Sequence, residues 1–182
     1  MQPKSIIKIV SSLLFSLFVS CTSVDVFVKD ADELKIINNL TVLPISCSNV
    51  EVGRSISDSI AANLLISRFE IIERSQLERI LKEWELSLSD ISENHRLIVG
   101  KIKNVDAIII GSAKTSQGFA GLLYGGYIEY VSSCTVKMIE IETGKTLIAA
   151  TFSSESASTM RGVTTASEVG KMLAEEIIKS SR

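Results

Sequence analysis

The stretch of sequence that most constrains the fold is a nearly continuous apolar run, VDAIIIGSAK, at residues 105–114. A short apolar run bounded by turn signals is typical of a strand buried on both faces. Such strands occur where other parts of the chain cover both sides of a sheet. The run therefore predicts a central strand with protein on each of its faces.

Strand and helix patterns alternate before this run. The segment NLTVLPIS at residues 39–46 predicts a strand, and Pro44 places it at an edge or near a strand end. A helix is predicted to begin at Ser55, a strand to cover residues 68–74, and a second helix to begin at Ser75. The second helix has a capping box and an apolar face at helical spacing, formed by Leu77, Ile80, Leu81 and Trp84.

The order of elements after the second helix is a helix, three strands and a final helix. The third helix is predicted at residues 93–102 and the last at residues 165–179. Alternation in the second of the three strands places Tyr130, Cys134, Val136 and Met138 on one side and Ser133, Thr135 and Lys137 on the other. The complete order, β-α-β-α-α-β-β-β-α, predicts an α/β fold in which helices pack on a mixed β-sheet.

The first twenty residues have the composition of an export signal. Lys4 and Lys8 precede an apolar segment at residues 9–19, which is shorter than a membrane-spanning helix of about 20 apolar residues. A basic start, a short apolar core and a small residue at its end indicate a secretory signal peptide. The alternatives are an uncleaved anchor and an ordinary signal peptide that precedes a cysteine by chance.

The cysteine that follows this segment adds a second prediction. The residues LFVSC resemble the lipobox of bacterial lipoproteins, in which the cysteine after the cleavage point receives a diacylglycerol; Phe18 stands where leucine is usual. We therefore predict acylation at Cys21, palmitate included, and stable anchoring, because two or more acyl chains hold a protein in a membrane. Thr22 stands where an aspartate favours the inner membrane, which favours an outer-membrane lipoprotein facing the periplasm.

These features divide the chain into a signal peptide at residues 1–20, a lipidated N-terminus and tether at 21–38, and a periplasmic α/β domain at 39–182. Without the signal, 162 of the 182 residues remain, enough for one domain with a core. Lys4 and Lys8 leave with the signal, so 17 basic residues face 21 acidic ones, a net charge of −4. That balance, with no long basic run, argues against nucleic-acid binding.

Two further cysteines, Cys47 and Cys134, lie in apolar runs of the domain. An oxidising periplasm permits a disulfide between them, whereas buried free thiols are common in such runs. The sequence favours free thiols and leaves the disulfide open, because pairing depends on a distance that a sequence does not contain.

Residues that could support catalysis or metal binding are few. His95 is the single histidine, and its neighbours on a predicted helix indicate a surface position. No histidine, cysteine and carboxylate cluster has the spacing of a metal site, and the glycines of residues 118–126 fit neither a dinucleotide-binding motif nor a P-loop. We therefore expect no enzyme activity, no metal, no cofactor and no small-molecule substrate.

The glycine-rich stretch GFAGLLYGGY, at residues 118–127, is unusually apolar for a solvent loop. Exposed apolar patches usually mark a contact with a partner or a membrane. We name as candidate partner-binding residues Phe119, Leu122, Leu123, Tyr124 and Tyr127. The alternative is an extended strand pair that packs on its own domain, and the sequence does not distinguish the two.

Three segments, RFEIIERSQLERILKE, NVDAIIIGSAK and VKMIEIETGKTLIAA, together resemble the CsgG-like superfamily of bacterial envelope lipoproteins. In that family a strand ending in Glu-Arg enters a helix, an Ala-Asp turn precedes a strand ending in Gly-Ser, and a Thr-Gly hairpin joins the last two strands. The resemblance covers residues 40–179. The corresponding positions here are Glu73-Arg74, Asp106, Gly111-Ser112 and Thr143-Gly144.

The resemblance implies a non-enzymatic role in the bacterial cell envelope. The superfamily includes the curli secretion channel, and related LpoB-like outer-membrane lipoproteins activate peptidoglycan synthases. By resemblance, this chain is expected to be a lipid-anchored protein that binds another envelope protein in assembly, secretion or the regulation of cell-wall synthesis.

The alternative that the resemblance implies is an oligomeric secretion channel of the curli type. Subunits of that channel insert two long hairpins into the outer membrane, and a membrane strand needs about 9 to 11 residues. Here the hairpins would fall at residues 114–133 and after Phe152, where SSESASTMRGV is too short and too polar to span. We therefore expect no pore, while self-association into a ring stays open.

Overall fold

The structure, a computed structural model, describes residues 22–29, 31–72, 105–119, 126–154 and 164–181. Several predictions fall outside this part of the chain. They concern the signal peptide, Cys21, the helices predicted from Ser75 and at residues 93–102, and His95.

Within the described residues, the order of elements is β1-α1-β2-α2-β3-β4-β5-β6-α3. Their bounds are β1 Thr22–Val28, α1 Ala31–Lys35, β2 Asn39–Val42, α2 Val50–Leu64, β3 Glu70–Ile71, β4 Ala107–Phe119, β5 Tyr127–Glu140, β6 Thr146–Ser154 and α3 Ala166–Ser180. From β2 onward this order agrees with the prediction, apart from the two helices that fall outside the described residues.

The strands form one mixed sheet with the spatial order β1-β6-β5-β4-β2-β3. β2 is parallel to both of its neighbours, β3 and β4, and the remaining pairs are antiparallel. The apolar run of β4 is buried on both faces, because Ile109 belongs to the helix-side core and Ile108 to a smaller cluster on the other face. The predicted α/β fold with a mixed sheet is therefore confirmed.

The segment predicted as a tether is instead part of the sheet. Residues 22–28 form β1, which pairs with β6 over seven residue pairs, and residues 31–35 form the short helix α1. Val24 and Val26 pack against the core, while Ser23, Asp25 and Phe27 are exposed. The tether prediction was wrong because the partner that orders this segment is more than a hundred residues away in sequence.

The core lies between the sheet and the helices α2 and α3. Helical spacing in the sequence predicts an apolar face on each helix, comprising Ile56, Ile60, Ala61, Leu64 and Leu65 on the first and Ala166, Val169, Met172, Leu173 and Ile177 on the second. All of these side chains are buried or pack against the core except Leu65, which is 64% exposed. Phe152 of β6 is among the largest fully buried side chains. The helical periodicity therefore identified the core-facing side of both helices and was wrong for Leu65, which lies at the C-terminal cap of α2.

The first of these helices starts earlier than the sequence indicated. The side chain of Asn49 accepts hydrogen bonds from the backbone N–H groups of Glu51 and Val52, so α2 begins at Val50 and not near Ser55. Asparagine is a preferred residue at this position because its oxygen satisfies an otherwise unpaired N–H. The last helix begins with a capping box formed by Thr165 and Glu168.

Two of the family motifs have clear structural reasons. A Cβ at Gly111 would lie 2.4 Å from the carbonyl oxygen of Thr135, so only glycine fits where β4 meets β5. Gly144 has a φ of 73°, a left-handed conformation that glycine adopts readily, and lies in the turn that joins β5 to β6. The predicted Thr-Gly hairpin is therefore confirmed.

Candidate protein-binding site

Strands β4 and β5 continue beyond the other strands as a two-stranded ribbon, which we define as residues 115–119 and 127–131. Ser133 of β5 pairs with Ser153, the penultimate residue of β6. Beyond it, five residue pairs of β4 and β5 have no third strand beside them in the described sheet. Five pairs at a rise of about 3.4 Å per residue make the ribbon about 17 Å long.

A β-bulge marks the start of the ribbon. Lys114 pairs with Ser133 and Thr115 with Val131, so Ser132 has no opposite residue on β4. The extra residue reverses the alternation of side chains, and Val131, which is 2% exposed, joins the core. The prediction that Tyr130 shares the core-facing side of β5 was therefore wrong, although it was right for the three residues C-terminal to the bulge.

A carboxylate ties the ribbon to the first turn of α2. The side-chain amide of Asn49 donates a hydrogen bond of 3.0 Å to the carboxylate of Glu129. Hydrogen bonds from the Thr115 hydroxyl and, second, from Asn49 lower the pKa of Glu129 below its ordinary value. Asn49 thus caps α2 and holds the ribbon at the same time, which sets the direction in which the ribbon leaves the sheet.

Of the predicted site residues, the structure places two at the far end of the ribbon. Phe119 is the last residue of β4, Tyr127 is the first residue of β5, and the two are directly opposite each other. Leu122, Leu123 and Tyr124 lie outside the described residues. Phe119 and Tyr127 therefore form the outermost pair of the ribbon, and the role of all five residues in binding stays a prediction.

The strand directions bring the ribbon and the start of the domain to one end of the sheet. Thr22, the first residue of β1, lies opposite Ser154, the last residue of β6. The ribbon leaves the sheet just beyond Ser153 and runs in the same direction. Cys21 precedes Thr22 in the sequence, so the predicted acylation site adjoins this same end. We call it the N-terminal end of the sheet.

The two cysteines of the domain are free. Ala113 of β4 pairs with Cys134 on one side and donates its N–H to the carbonyl of Ser46 on the other, so β4 lies between Cys47 and Cys134. Two strand spacings of about 4.8 Å exceed the Cα separation that a disulfide allows. Burial raises the pKa of Cys134 to about 12, so this thiol stays protonated and is not a nucleophile at neutral pH.

The described residues contain no group of three or more histidine, cysteine or acidic side chains that could hold a metal ion. No helix in this part of the chain is long and apolar enough to cross a membrane. What the described chain presents at the N-terminal end of the sheet is a projecting ribbon.

One residue of this site was missed by the sequence analysis. Asparagine is a typical N-cap residue, so Asn49 could have indicated that α2 begins at Val50 and not near Ser55. Its second contact, with Glu129, could not have been found, because the two residues are 80 positions apart and meet only through the sheet.

The architecture defines an α/β domain in which helices α2 and α3 cover one face of a mixed sheet and a β-hairpin projects from one end. The chain belongs to the family of the curli production assembly/transport component CsgG, whose family model matches residues 36–180. The resemblance stated from the sequence is therefore confirmed. No curated protein sequence matches the chain significantly.

PelC and lipoprotein GNA1162, two solved structures of low sequence identity, share the fold, and a domain of LpoB matches with a lower score. The PelC dodecamer from Paraburkholderia phytofirmans is 16% identical with a TM-score of 0.53, covering 88% of this chain and 97% of PelC. Lipoprotein GNA1162 from Neisseria meningitidis is 16% identical with a TM-score of 0.52, covering 78% and 96%. The C-terminal domain of LpoB from Escherichia coli is 14% identical with a TM-score of 0.45, covering 81% and 94%.

Proposed function

We propose that this protein is a non-enzymatic, lipid-anchored envelope protein that binds another envelope protein through the outer end of its ribbon. Cys21 carries the acyl chains, and the binding surface comprises residues 119–127. The observation that supports the proposal most directly is that Thr22, which follows Cys21, and the ribbon, which ends at Phe119 and Tyr127, lie at the same end of the sheet. The lipid determines where the protein lies, and the ribbon makes the contact.

The short connection between the proposed anchor and the domain determines which end of the sheet lies at the membrane. Cys21 is bonded to Thr22, and Thr22 is already paired with Ser154 in the sheet. An acylated Cys21 therefore holds the N-terminal end of the sheet at the membrane surface, with no tether between them. The ribbon, which starts at the same end, is then within reach of proteins in or on that membrane.

The length of the ribbon favours binding over pore formation. Five residue pairs extend beyond the sheet, whereas each strand of a membrane hairpin needs about 9 to 11 residues. Residues 155–163, the position of a second hairpin, are serine-rich and carry Glu155 and Arg161. A curli-type channel is the alternative function, and conductance across liposomes that contain the purified protein would support it.

Photocrosslinking in cells tests the binding surface. A photoreactive amino acid at position 122 or 124 is expected to crosslink to a different envelope protein, identified by mass spectrometry. The matched control is position 171, because the Lys171 side chain is 61% exposed and lies on α3, which is not part of the ribbon. Equal crosslinking to the same protein from all three positions, or none from 122 and 124, would contradict the proposed surface.

Labelling with a clickable palmitate analogue tests the anchor. The wild-type chain and a Cys47→Ser variant are expected to incorporate the label and to sediment with membranes. The Cys21→Ser variant is expected to do neither, or to keep its signal peptide. A labelled Cys21→Ser variant would show that the anchor is elsewhere.

A further inference from the structure

Strand β1 is an edge of the sheet with one side of its backbone unpaired by any residue that the structure describes. The N–H of Lys29 donates to the carbonyl of Leu147 on β6 at 3.0 Å. Because backbone groups alternate along an antiparallel strand, Lys29, Phe27 and Asp25 direct their N–H and C=O groups towards β6. Val26 and Val28 direct theirs outward, where they are available to another strand.

The side chains along this edge combine an exposed aromatic ring with two opposite charges. Phe27 is 70% exposed and Val28 is 38% exposed. Asp25 is also exposed and lies on the same face as Phe27, since both are at odd positions of the strand. Lys29, the exposed residue directly after β1, continues this spacing and still bonds to β6. Residues four apart on a strand are about 13 Å apart, so these two charges do not neutralise each other within one chain.

We propose that a second copy of this chain pairs with the outer edge of β1, antiparallel, in the register that places Phe27 opposite Phe27 of the second copy. In this register Asp25 of each copy lies opposite Lys29 of the other. Val26 lies opposite Val28, and their outward N–H and C=O groups exchange hydrogen bonds. The two exposed rings cover each other on one face, and both charges gain a partner of opposite sign.

The charges select this register over its neighbours. The nearest alternatives centre the two-fold axis on Val26 or Val28; they place Asp25 or Lys29 opposite Phe27, so neither charge meets an opposite one. A further shift of the axis would place Asp25 or Lys29 opposite its own copy. Like charges directly opposite each other destabilise a strand pair, whereas opposite charges stabilise it. Charged residues on an edge strand usually prevent pairing, but their order along this edge permits one register in which both charges meet an opposite charge.

The geometry of the proposed dimer limits how two lipid anchors can enter one membrane. The two-fold axis of an antiparallel strand pair is perpendicular to the sheet, so the N-terminal ends of the two sheets point in opposite directions. Two acylated copies can therefore share one membrane only if the joined sheet lies along the membrane surface. The two Thr22 residues would be about 34 Å apart, ten residue rises along the paired strands. This step alone depends on the proposed acylation; the pairing of the two β1 strands does not.

Charge reversal tests the register. Asp25→Lys and Lys29→Asp each place like charges opposite each other twice per dimer, so each is expected to weaken dimerisation about tenfold or more. The double variant restores both pairs and is expected to dimerise within about threefold of wild type. Sedimentation of the purified full chain in detergent measures the effect, with Lys171→Glu as the matched control on α3.

Disulfide trapping tests the same register without relying on charge. Phe27→Cys is expected to give a disulfide-linked dimer on a non-reducing gel, because opposite residues at this kind of position have Cα atoms about 4.5 Å apart. Ser23→Cys, on the same face of the same strand, is not expected to do so, since the two Ser23 residues would be about 27 Å apart. Circular dichroism checks that each variant folds.

Three results would overturn the proposal. The first is a wild-type chain that sediments as a monomer at every accessible concentration. The second is a double charge variant as weak as the single variants. The third is equal trapping at positions 23 and 27. None of these results would affect the proposed function, because a monomer can still carry the anchor and bind a partner through the ribbon.

Discussion

The carboxylate of Asp106 joins the starts of β2 and β4, and its removal makes a quantitative test of the fold. One oxygen, Oδ2, accepts hydrogen bonds from the backbone N–H groups of Asn38 and Asn39, each 2.8 Å long. The backbone of Asp106 makes two more hydrogen bonds, both 2.9 Å long. Its N–H donates to the carbonyl of Asn39, and its carbonyl accepts from the N–H of Ile141. These contacts give the aspartate of the motif a structural role in this chain.

Asp106→Ala removes both side-chain hydrogen bonds and leaves the backbone ones in place. A hydrogen bond to a charged group contributes about 1.5 to 3 kcal/mol. Asp106 is half-buried and Asn38 is exposed, so water replaces part of this contribution. We expect the free energy of unfolding to fall by about 2 to 3 kcal/mol. Asp106→Asn keeps one oxygen that both N–H groups can reach, so the expected loss is about 1 kcal/mol.

Urea unfolding of the purified full chain, followed by circular dichroism, measures these differences. Glu142→Ala is the matched control, because it removes an exposed carboxylate from the turn between β5 and β6. An alanine variant as stable as the control would refute the reasoning, since it would mean that water substitutes fully for the carboxylate. An asparagine variant as unstable as the alanine variant would show that charge, and not the hydrogen bonds, is responsible.

Three further predictions concern the core, a helix cap and a buried thiol. Phe152→Ala is expected to lower the free energy of unfolding by about 3 to 5 kcal/mol, measured by urea unfolding, because Phe152 is fully buried. Thr165→Ala removes the capping box with Glu168 and is expected to lower the free energy of unfolding by about 1 kcal/mol in the same assay. Because burial raises the pKa of Cys134 from 9.0 to about 12, the unfolded chain releases this proton first as the pH rises. Stability should therefore fall between pH 9 and 12 more steeply in wild type than in Cys134→Ala, and iodoacetamide should label Cys134 only after unfolding.

The parts of the fold that could be predicted from the sequence are those specified by local patterns. The apolar run of β4 indicated a central strand, and helical spacing identified the buried faces of α2 and α3. The turn at Thr143-Gly144 has a local cause as well, because Gly144 adopts a positive φ. In each case the deciding interactions involve residues that are close together in the sequence.

The parts that could not be predicted depend on distant partners. Residues 22–28 mix valines with charges and hydroxyls, and only pairing with β6 makes them a strand. The bulge at Ser132 depends on the register between β4 and β5, and it alone decides that Val131 and not Tyr130 enters the core. At the candidate site, the sequence indicated that residues 118–127 are unusually apolar. It did not indicate that the ribbon and Thr22 lie at the same end of the sheet.

A shortened ribbon would separate its structural role from its proposed role in binding. Replacing residues 116–130 by Asn-Gly would join Thr115 to Val131 through a two-residue turn of a type that favours hairpins. Val131 would stay in the core, and the contact between Glu129 and Asn49 would be lost. A shorter connection changes chain entropy by less than about 1 kcal/mol per halving of its length, so the variant is expected to fold with nearly unchanged stability.

The envelope protein that crosslinks from positions 122 and 124 should then fail to co-purify with the shortened chain. A chain in which residues 155–163 are replaced by glycine and serine is the matched control, because that segment follows Ser154 at the N-terminal end of the sheet. It is expected to keep the partner. A shortened chain that folds and still binds would place the interaction elsewhere on the domain. A chain that no longer folds would show that the ribbon stabilises the sheet. The contact between Glu129 and Asn49 would then contribute to the stability of the domain.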